Sequence, residues 1–393
     1  MPAPLAPPHP PAVAQVPLDR FTDRVFSHLP RADQRHWAQS YLRGLLTTPG
    51  RKSLQSMARA VCDSPTASQC LQQFVNSSPW DWRPARRELA QAVAEAAPVR
   101  AWVATTAITP KRGDHAVGVH RRFVPEAGRT LKCQAAAGLF LSADRHAVPV
   151  DWRLVLNHDW CQEPERRTRA RLPASIAPGP ASALVPDMAR RLGQLLPAAP
   201  LVADLGCAGE PAALAGELTA AGIDFLIAIR PGQLVLPSPA RTATPLPVRT
   251  AAGAPERPRT VRGGTRAEDL VGPAPALRPP GSVTRSTMVR LPAADGGSTP
   301  AYRLWALGPA TGPHAGGYWL TSLRGAGPAT VLRLLDHLST TRAALADMEQ
   351  DFGLQDFEGR SYPGWHHHTT MVCAAYTFHR LHHSPTTPGP PLP

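Results

Sequence analysis

The sequence predicts an α/β protein with an all-helical front end and a Pro/Arg-rich insertion, and three observations carry that expectation. The apolar period changes from helical to strand-like near residue 100, and a strand–helix–strand unit with short links follows at residues 201–229. The 46 prolines cluster in a few stretches, which marks tails and an insertion. With 393 residues, 43% of them hydrophobic and 18% charged, the chain is long and apolar enough to bury sizeable cores.

Taken in order, residues 1–18 are too rich in proline to hold helix or strand and read as a disordered tail. From residue 21 to 97, apolar side chains such as Val25, Phe26, Leu29, Trp37, Tyr41 and Leu45 recur at three- and four-residue spacing. Later runs around Leu54–Val61 and Cys70–Val75 repeat that spacing, so residues 19–98 are expected to form a helical domain. Strands are expected at residues 101–104, 116–119, 133–141 and 148–156, with a hairpin turn at Arg112-Gly113-Asp114. A helix at 183–196 precedes the buried strand Leu201–Asp204, and a helix at 211–221 leads to the strand Phe225–Ile229. Short links between these elements imply a parallel crossover. Residues 99–235 thus form the first part of a core, and 236–285 read as a low-complexity insertion. The second part, 286–383, carries strands at 286–291, 302–307 and 318–323, then helices at 328–348 and 370–381. A tail at 384–393 closes the chain.

The formal net charge is +13, and Lys52, Lys111 and Lys132 are the only lysines among 42 basic residues. Arginine's planar fork suits bidentate phosphate contacts, so a polyanion is the natural partner, although a biased Arg/Ala/Pro composition produces the same balance. The six cysteines show no C-x-x-C spacing, which fits reduced thiols in a cytoplasmic protein. Neither a signal-peptide pattern nor a run of about 18 apolar residues is present, so no membrane association is expected.

Several multi-residue stretches carry a family resemblance. Tyr41-Leu42-Arg43-Gly44-Leu45-Leu46 with Gly50-Arg51-Lys52-Ser53, and the run from Leu71 through Asn76-Ser77-Ser78-Pro79-Trp80-Asp81, resemble the front domain of insertion-sequence-701-type transposases. Pro110-Lys111-Arg112-Gly113 with Val117-Gly118-Val119 and Cys133-Gln134 looks like that family's first hairpin. Phe357-Glu358-Gly359-Arg360-Ser361 and Gly364-Trp365-His366-His367-His368 match its terminal signature. The resemblance implies an RNase H-like core and DNA cutting and joining by two Mg²⁺ ions held by three carboxylates. Double-stranded DNA is the implied partner, a homodimer is compatible with it, and the implied location is the nucleoid.

At the acid positions this sequence departs from the family pattern. Counting from Pro110 places Thr105 and Thr106 where the first acid belongs; Asp204 fits the second; Arg342 falls at the third. Glu349 lies seven residues on, roughly 10 Å along a helix at about 1.5 Å per residue. Asp336 and Asp347 lie off that position, and Asp114 and Asp144 lie in or beyond the hairpin. A lone carboxylate is a poor Mg²⁺ site, so Asp204 is expected to bind metal weakly or not at all. The expected protein is a DNA binder deficient in strand chemistry, the alternative an active enzyme with acids placed elsewhere. A small-molecule site at the Gly206-Cys207-Ala208-Gly209 loop lacks the G-x-G-x-x-G pattern. Ser77 and Ser78 lack a nucleophile-elbow context.

Arg51, Lys52, Lys111, Arg112, Arg121, Arg122 and Arg360 are the candidate DNA contacts, with the run Arg166 to Arg171 as a further basic cluster. His366, His367 and His368, with His379, His382 and His383, lack zinc-type partners and are expected to pack rather than ligate.

Overall fold

A computed structural model of the protein describes residues 15–144, 146–206, 210–238, 264–272, 283–292, 299–308 and 317–383. Both expected tails over most of their length, the residues 207–209 of the small loop, and most of the insertion lie outside the described residues.

Five helices open the chain: α1 (Gln15–Val25), α2 (Ala32–Thr47), α3 (Leu54–Val61), α4 (Ala67–Asn76) and α5 (Trp82–Ala96). α1 begins inside the stretch read as tail, because Pro17 sits in the first turn, where its missing N–H costs nothing, and Leu18 is buried. Ser53 and Asp81 cap α3 and α5 by accepting from the backbone N–H of Ser56 and Arg83.

The central region follows as β1 (Ala101–Pro110), β2 (His120–Val124), β3 (Arg129–Ser142), β4 (Ala147–Val155), α6 (His158–Gln162), α7 (Pro164–Ala170), α8 (Ala181–Gly193), β5 (Leu201–Asp204), α9 (Pro211–Ala220) and β6 (Phe225–Ile229). Beyond it come β7 (Leu234–Pro237), β8 (Thr265–Arg266), α10 (Ala267–Val271), β9 (Val283–Arg290), β10 (Tyr302–Leu307), β11 (Gly317–Thr321), α11 (Pro328–Gln350) and α12 (Tyr362–His383).

The strands form one mixed sheet. β4, β3 and β1 are antiparallel neighbours, β1, β5 and β6 are parallel, and β11, β10, β9, β7 and β8 extend the far edge antiparallel. This arrangement is consistent with the RNase H-like core that the resemblance implies. Both faces are covered, so β1 and β5 read as continuous apolar runs instead of alternating ones. Val103, Val202 and Phe140 pack toward α11, α12 and the first five helices. Trp102, Ala203 and Leu139 pack toward α8, α9 and α10.

Three elements differ from expectation. Residues 116–119 form a turn, not a strand: Gly118 has φ +78°, and the Val119 N–H donates to Ala116 O. Val117 and Val119 are nevertheless buried, and their carbonyls accept from Gln134 and Trp160. Within the expected insertion, α10 buries Ala267 and Val271 against the sheet. α12 starts eight residues before the expected helix. It is buried almost all round, so the periodic signal of a half-exposed helix is missing.

Candidate active site

β1 and β5 bring two of the singled-out residues together. In their parallel register Thr105 is the Cα partner of Asp204, and strand alternation puts both on the α11 face with Val103 and Val202. α11 is fixed over that face by buried Val331, Leu334, Leu335, Leu338, Thr341, Ala344 and Met348. Arg342, next to buried Thr341, reaches the sheet, and its Nη2 donates to Asp204 Oδ2 in a salt bridge. The other carboxylate oxygen of Asp204 accepts from the Gly206 N–H at 3.1 Å. The two side chains retain about a quarter of their exposure (26% and 23%), and Thr105 is buried. Thr106, one residue on, turns to the opposite face. Ungapped counting therefore selected three positions that meet in space.

Their chemistry does not suit a pair of divalent ions. Thr105 is neutral, Arg342 carries a fixed positive charge, and each oxygen of the single carboxylate already has a donor. Among the described residues no group of three or more His, Cys, Asp or Glu is placed to hold a metal ion. The neighbouring acids are engaged elsewhere: Asp114 with Lys132 at 2.7 Å, Asp144 with Arg100 at 3.1 Å, and Asp347 with Arg380. Burial raises the carboxyl pKa of Glu349, and a hydrogen bond from Gln355 opposes that shift. Asp336 is exposed.

A family model for DDE superfamily endonucleases matches residues 24–289, two-thirds of the chain. The chain belongs to this family. No curated protein matches it. DDE superfamily endonucleases generally act on DNA and use divalent metals such as Mg²⁺. The matched span contains Thr105 and Asp204, whereas Arg342 lies beyond its end.

The basic residues of this DDE-family chain divide by environment. Lys52 is buried; its ammonium donates to Thr48 O and its backbone N–H to Asp356 Oδ2, which removes it from the candidate DNA contacts. Lys111 donates to the carbonyls of Gln355 and Phe357 at 3.2 and 2.8 Å, and burial lowers its pKa. It holds the terminal loop to the end of β1. Arg51 pairs with Glu358 at 2.5 Å. Exposed Arg112 and Arg360 line, with Arg51 and Lys111, an open groove of about 510 Å³. Arg121 and Arg122 lie on β2, the former exposed.

The run Arg166 to Arg171 is partly structural. Arg167 donates to the carbonyls of Cys161, Pro173 and Ile176, and Arg171 to Asn76 O and Ser361 Oγ.

The histidines form a packed cluster. His366 stacks on Trp82 at 4.3 Å, and His367 on Trp80 at 4.0 Å. His368 accepts from Tyr41 Oη through Nδ1 in the tautomer whose Nε2–H donates to Gly353 O. Burial holds His367 and His368 down at about 4 and His366 well below its ordinary value, so all three are neutral at pH 7.

Arg86 was not singled out by the sequence. It is buried on α5 and donates to Asp151 at 2.6 Å, Trp152 O, Thr369, Thr370 and His366. The available signal was its place on the apolar face of α5, beside Ala85 and Leu89.

Proposed function

We propose that this DDE-family protein is a relative of the insertion-sequence-701-type transposases that binds double-stranded DNA without metal-dependent cutting and joining, in the manner of a regulator. One observation carries this reading: the guanidinium of Arg342 answers the charge of Asp204 beside Thr105. Two Mg²⁺ ions need several anionic oxygens to balance their charge, and here a fixed cation stands among a hydroxyl and one carboxylate. Because the residues do not fit the ions, no catalytic step through them is derived. The exposed arginines Arg112, Arg121 and Arg360 support a phosphate-binding role, which is electrostatic and independent of the acid triad.

The test uses purified full-length protein and duplex DNA, including the sequences that flank its gene. Binding should weaken linearly in log–log form with salt. No nicking or strand transfer should appear with Mg²⁺ or Mn²⁺. Cleavage that disappears in Asp204→Ala would overturn the inactive reading, and absence of salt-sensitive binding would overturn the DNA-binding one.

A further inference from the structure

The sheet has an arm that runs past the acid site. β3 pairs with β1 from Ser142 to Cys133 and with β4 from Ser142 to Ala135, whereas residues 129–132 pair with β2 alone. Gly138 lies level with Thr105, and therefore with Asp204. Nine residues separate Gly138 from Arg129, about 30 Å at roughly 3.3 Å per residue. The arm thus leaves the sheet at the carboxyl end of β5, the end that carries Asp204.

Strand alternation fixes which side chains share a face. Ala136 and Phe140 of β3 belong to the core on the α11 side, with Thr105 between Val103 and Ala107 on β1. Continuing outward by twos gives Gln134, Lys132 and Thr130 on β3, and their β2 partners Arg121 and Phe123 follow. Phe123 and Arg121 therefore stand on the same face of the sheet as Asp204.

Phe123 is 61% exposed, the most exposed large hydrophobic side chain among the described residues. It sits on a strand pair whose sequence, residues 120–132, holds Arg121, Arg122, Arg129 and Lys132 against one acid, Glu126. Lys132 is tied to Asp114, while Arg121 and Arg129 have no ion pair among the described residues. By the same alternation Arg121 shares the face of the ring, whereas Arg122 and Arg129 stand on the opposite face. An uncovered ring beside an exposed guanidinium, on a strand pair rich in cations, suits a partner that offers phosphates around a stackable apolar surface. Duplex DNA has that chemistry: cations hold the backbone while an apolar side chain wedges against a base step.

We propose that the β2–β3 arm is a duplex-DNA contact, with Phe123 wedged against a base step and Arg121, on the same face of the arm, on a flanking phosphate. This rests on the DNA-binding reading above and adds where and how the DNA is held. Phe123 is level with Thr130, eight residues from Gly138 and so about 26 Å along β3, which is within one turn of B-DNA at about 34–36 Å, so one duplex can engage both Phe123 and the region of Asp204.

The experiment measures binding of full-length protein to a mixed-sequence duplex of about 30 base pairs, half of the molecules carrying 2-aminopurine. Phe123→Ala should weaken binding roughly tenfold with an unchanged salt slope, because the ring carries no charge, and Phe123→Trp should retain wild-type affinity. Arg121→Ala should lower the salt slope by about 1, and Arg129→Ala, on the opposite face, should leave it unchanged. Wild-type protein should raise 2-aminopurine fluorescence through unstacking, and Phe123→Ala should not. Unchanged thermal midpoints would verify that these surface variants fold.

Wild-type affinity in Phe123→Ala overturns the wedge while leaving DNA binding intact. Wild-type protein that binds no duplex removes the parent reading and the wedge with it. Binding to vesicles containing anionic lipid that depends on Phe123, with duplex binding indifferent to it, assigns the arm to a membrane instead.

Discussion

The Asp204 centre and the Trp-His cluster both set polar side chains against packed helices, and they satisfy them in opposite ways. At Trp80, Trp82 and His366–His368, rings stack on rings, backbone carbonyls accept ring N–H groups, and burial keeps the imidazoles neutral. Arg86 is a buried charge at the heart of that cluster, matched by Asp151 and by hydroxyl and carbonyl oxygens. At Asp204 a partly exposed charge meets a single opposite charge and one backbone N–H. The first region is held by many mutually dependent contacts. The second holds the Arg342–Asp204 ion pair in the place where metal chemistry would need several acids.

The largest expected effect comes from reversing the second region. Thr105→Asp combined with Arg342→Glu places three carboxylates at the meeting of β1, β5 and α11. Isothermal titration should then show Mn²⁺ binding at least about 100-fold tighter than in the wild type. An unchanged isotherm in a folded double variant would mean that these positions are not the acid positions.

The first region should break more expensively than the second. Arg86→Met leaves Asp151 with Arg153 as its ion-pair partner but removes donors from Trp152 O and His366, so urea denaturation should show a loss of about 2–3 kcal/mol. A loss below about 1 kcal/mol would show that the cluster does not depend on this arginine.

The neutral histidines predict an acid-sensitive fold. Folded His367 and His368 titrate at about 4, below the ordinary 6.5, so between these values the unfolded chain binds more protons. Stability is therefore fully present above about pH 6.5 and falls as pH drops toward 4. The thermal midpoint should decrease by roughly 5–10 °C across that window. A midpoint that stays level, or rises, would contradict neutral buried rings. The smallest effect is expected for Arg342→Met, at about 1 kcal/mol in urea denaturation, because water reaches the pair it breaks.

Much of the fold was legible because its elements obey simple periods. Leu201–Asp204, Phe225–Ile229 and Tyr302–Leu307 are strands with the expected bounds, and α11 begins at Pro328 as its proline indicates. The first half of α12 was illegible for a physical reason. Tyr362-Pro363-Gly364 and three histidines look like a polar turn, yet Pro363 occupies the first turn and the rings pack on Trp82, Trp80 and Phe357. Gly364 is required by close approach, since a Cβ there would come within 2.8 Å of Asn76. Lys52 read as a surface cation because sequence gives no sign that the loop at Gly353–Asp356 folds over it. The convergence of Thr105, Asp204 and Arg342 was legible only through the resemblance; composition and period alone do not join residues so far apart. Phe123 was missed because the strand was expected at 116–119, where buried valines imitate one.

Arg342 places a fixed cation against Asp204, where a DDE-type site would hold divalent ions. Manganese titration of the wild-type protein, followed by electron paramagnetic resonance of free Mn²⁺, tests it most directly. No bound ion is expected at micromolar to low-millimolar manganese, with or without duplex DNA. Two ions bound per chain, released by Asp204→Ala, would contradict it.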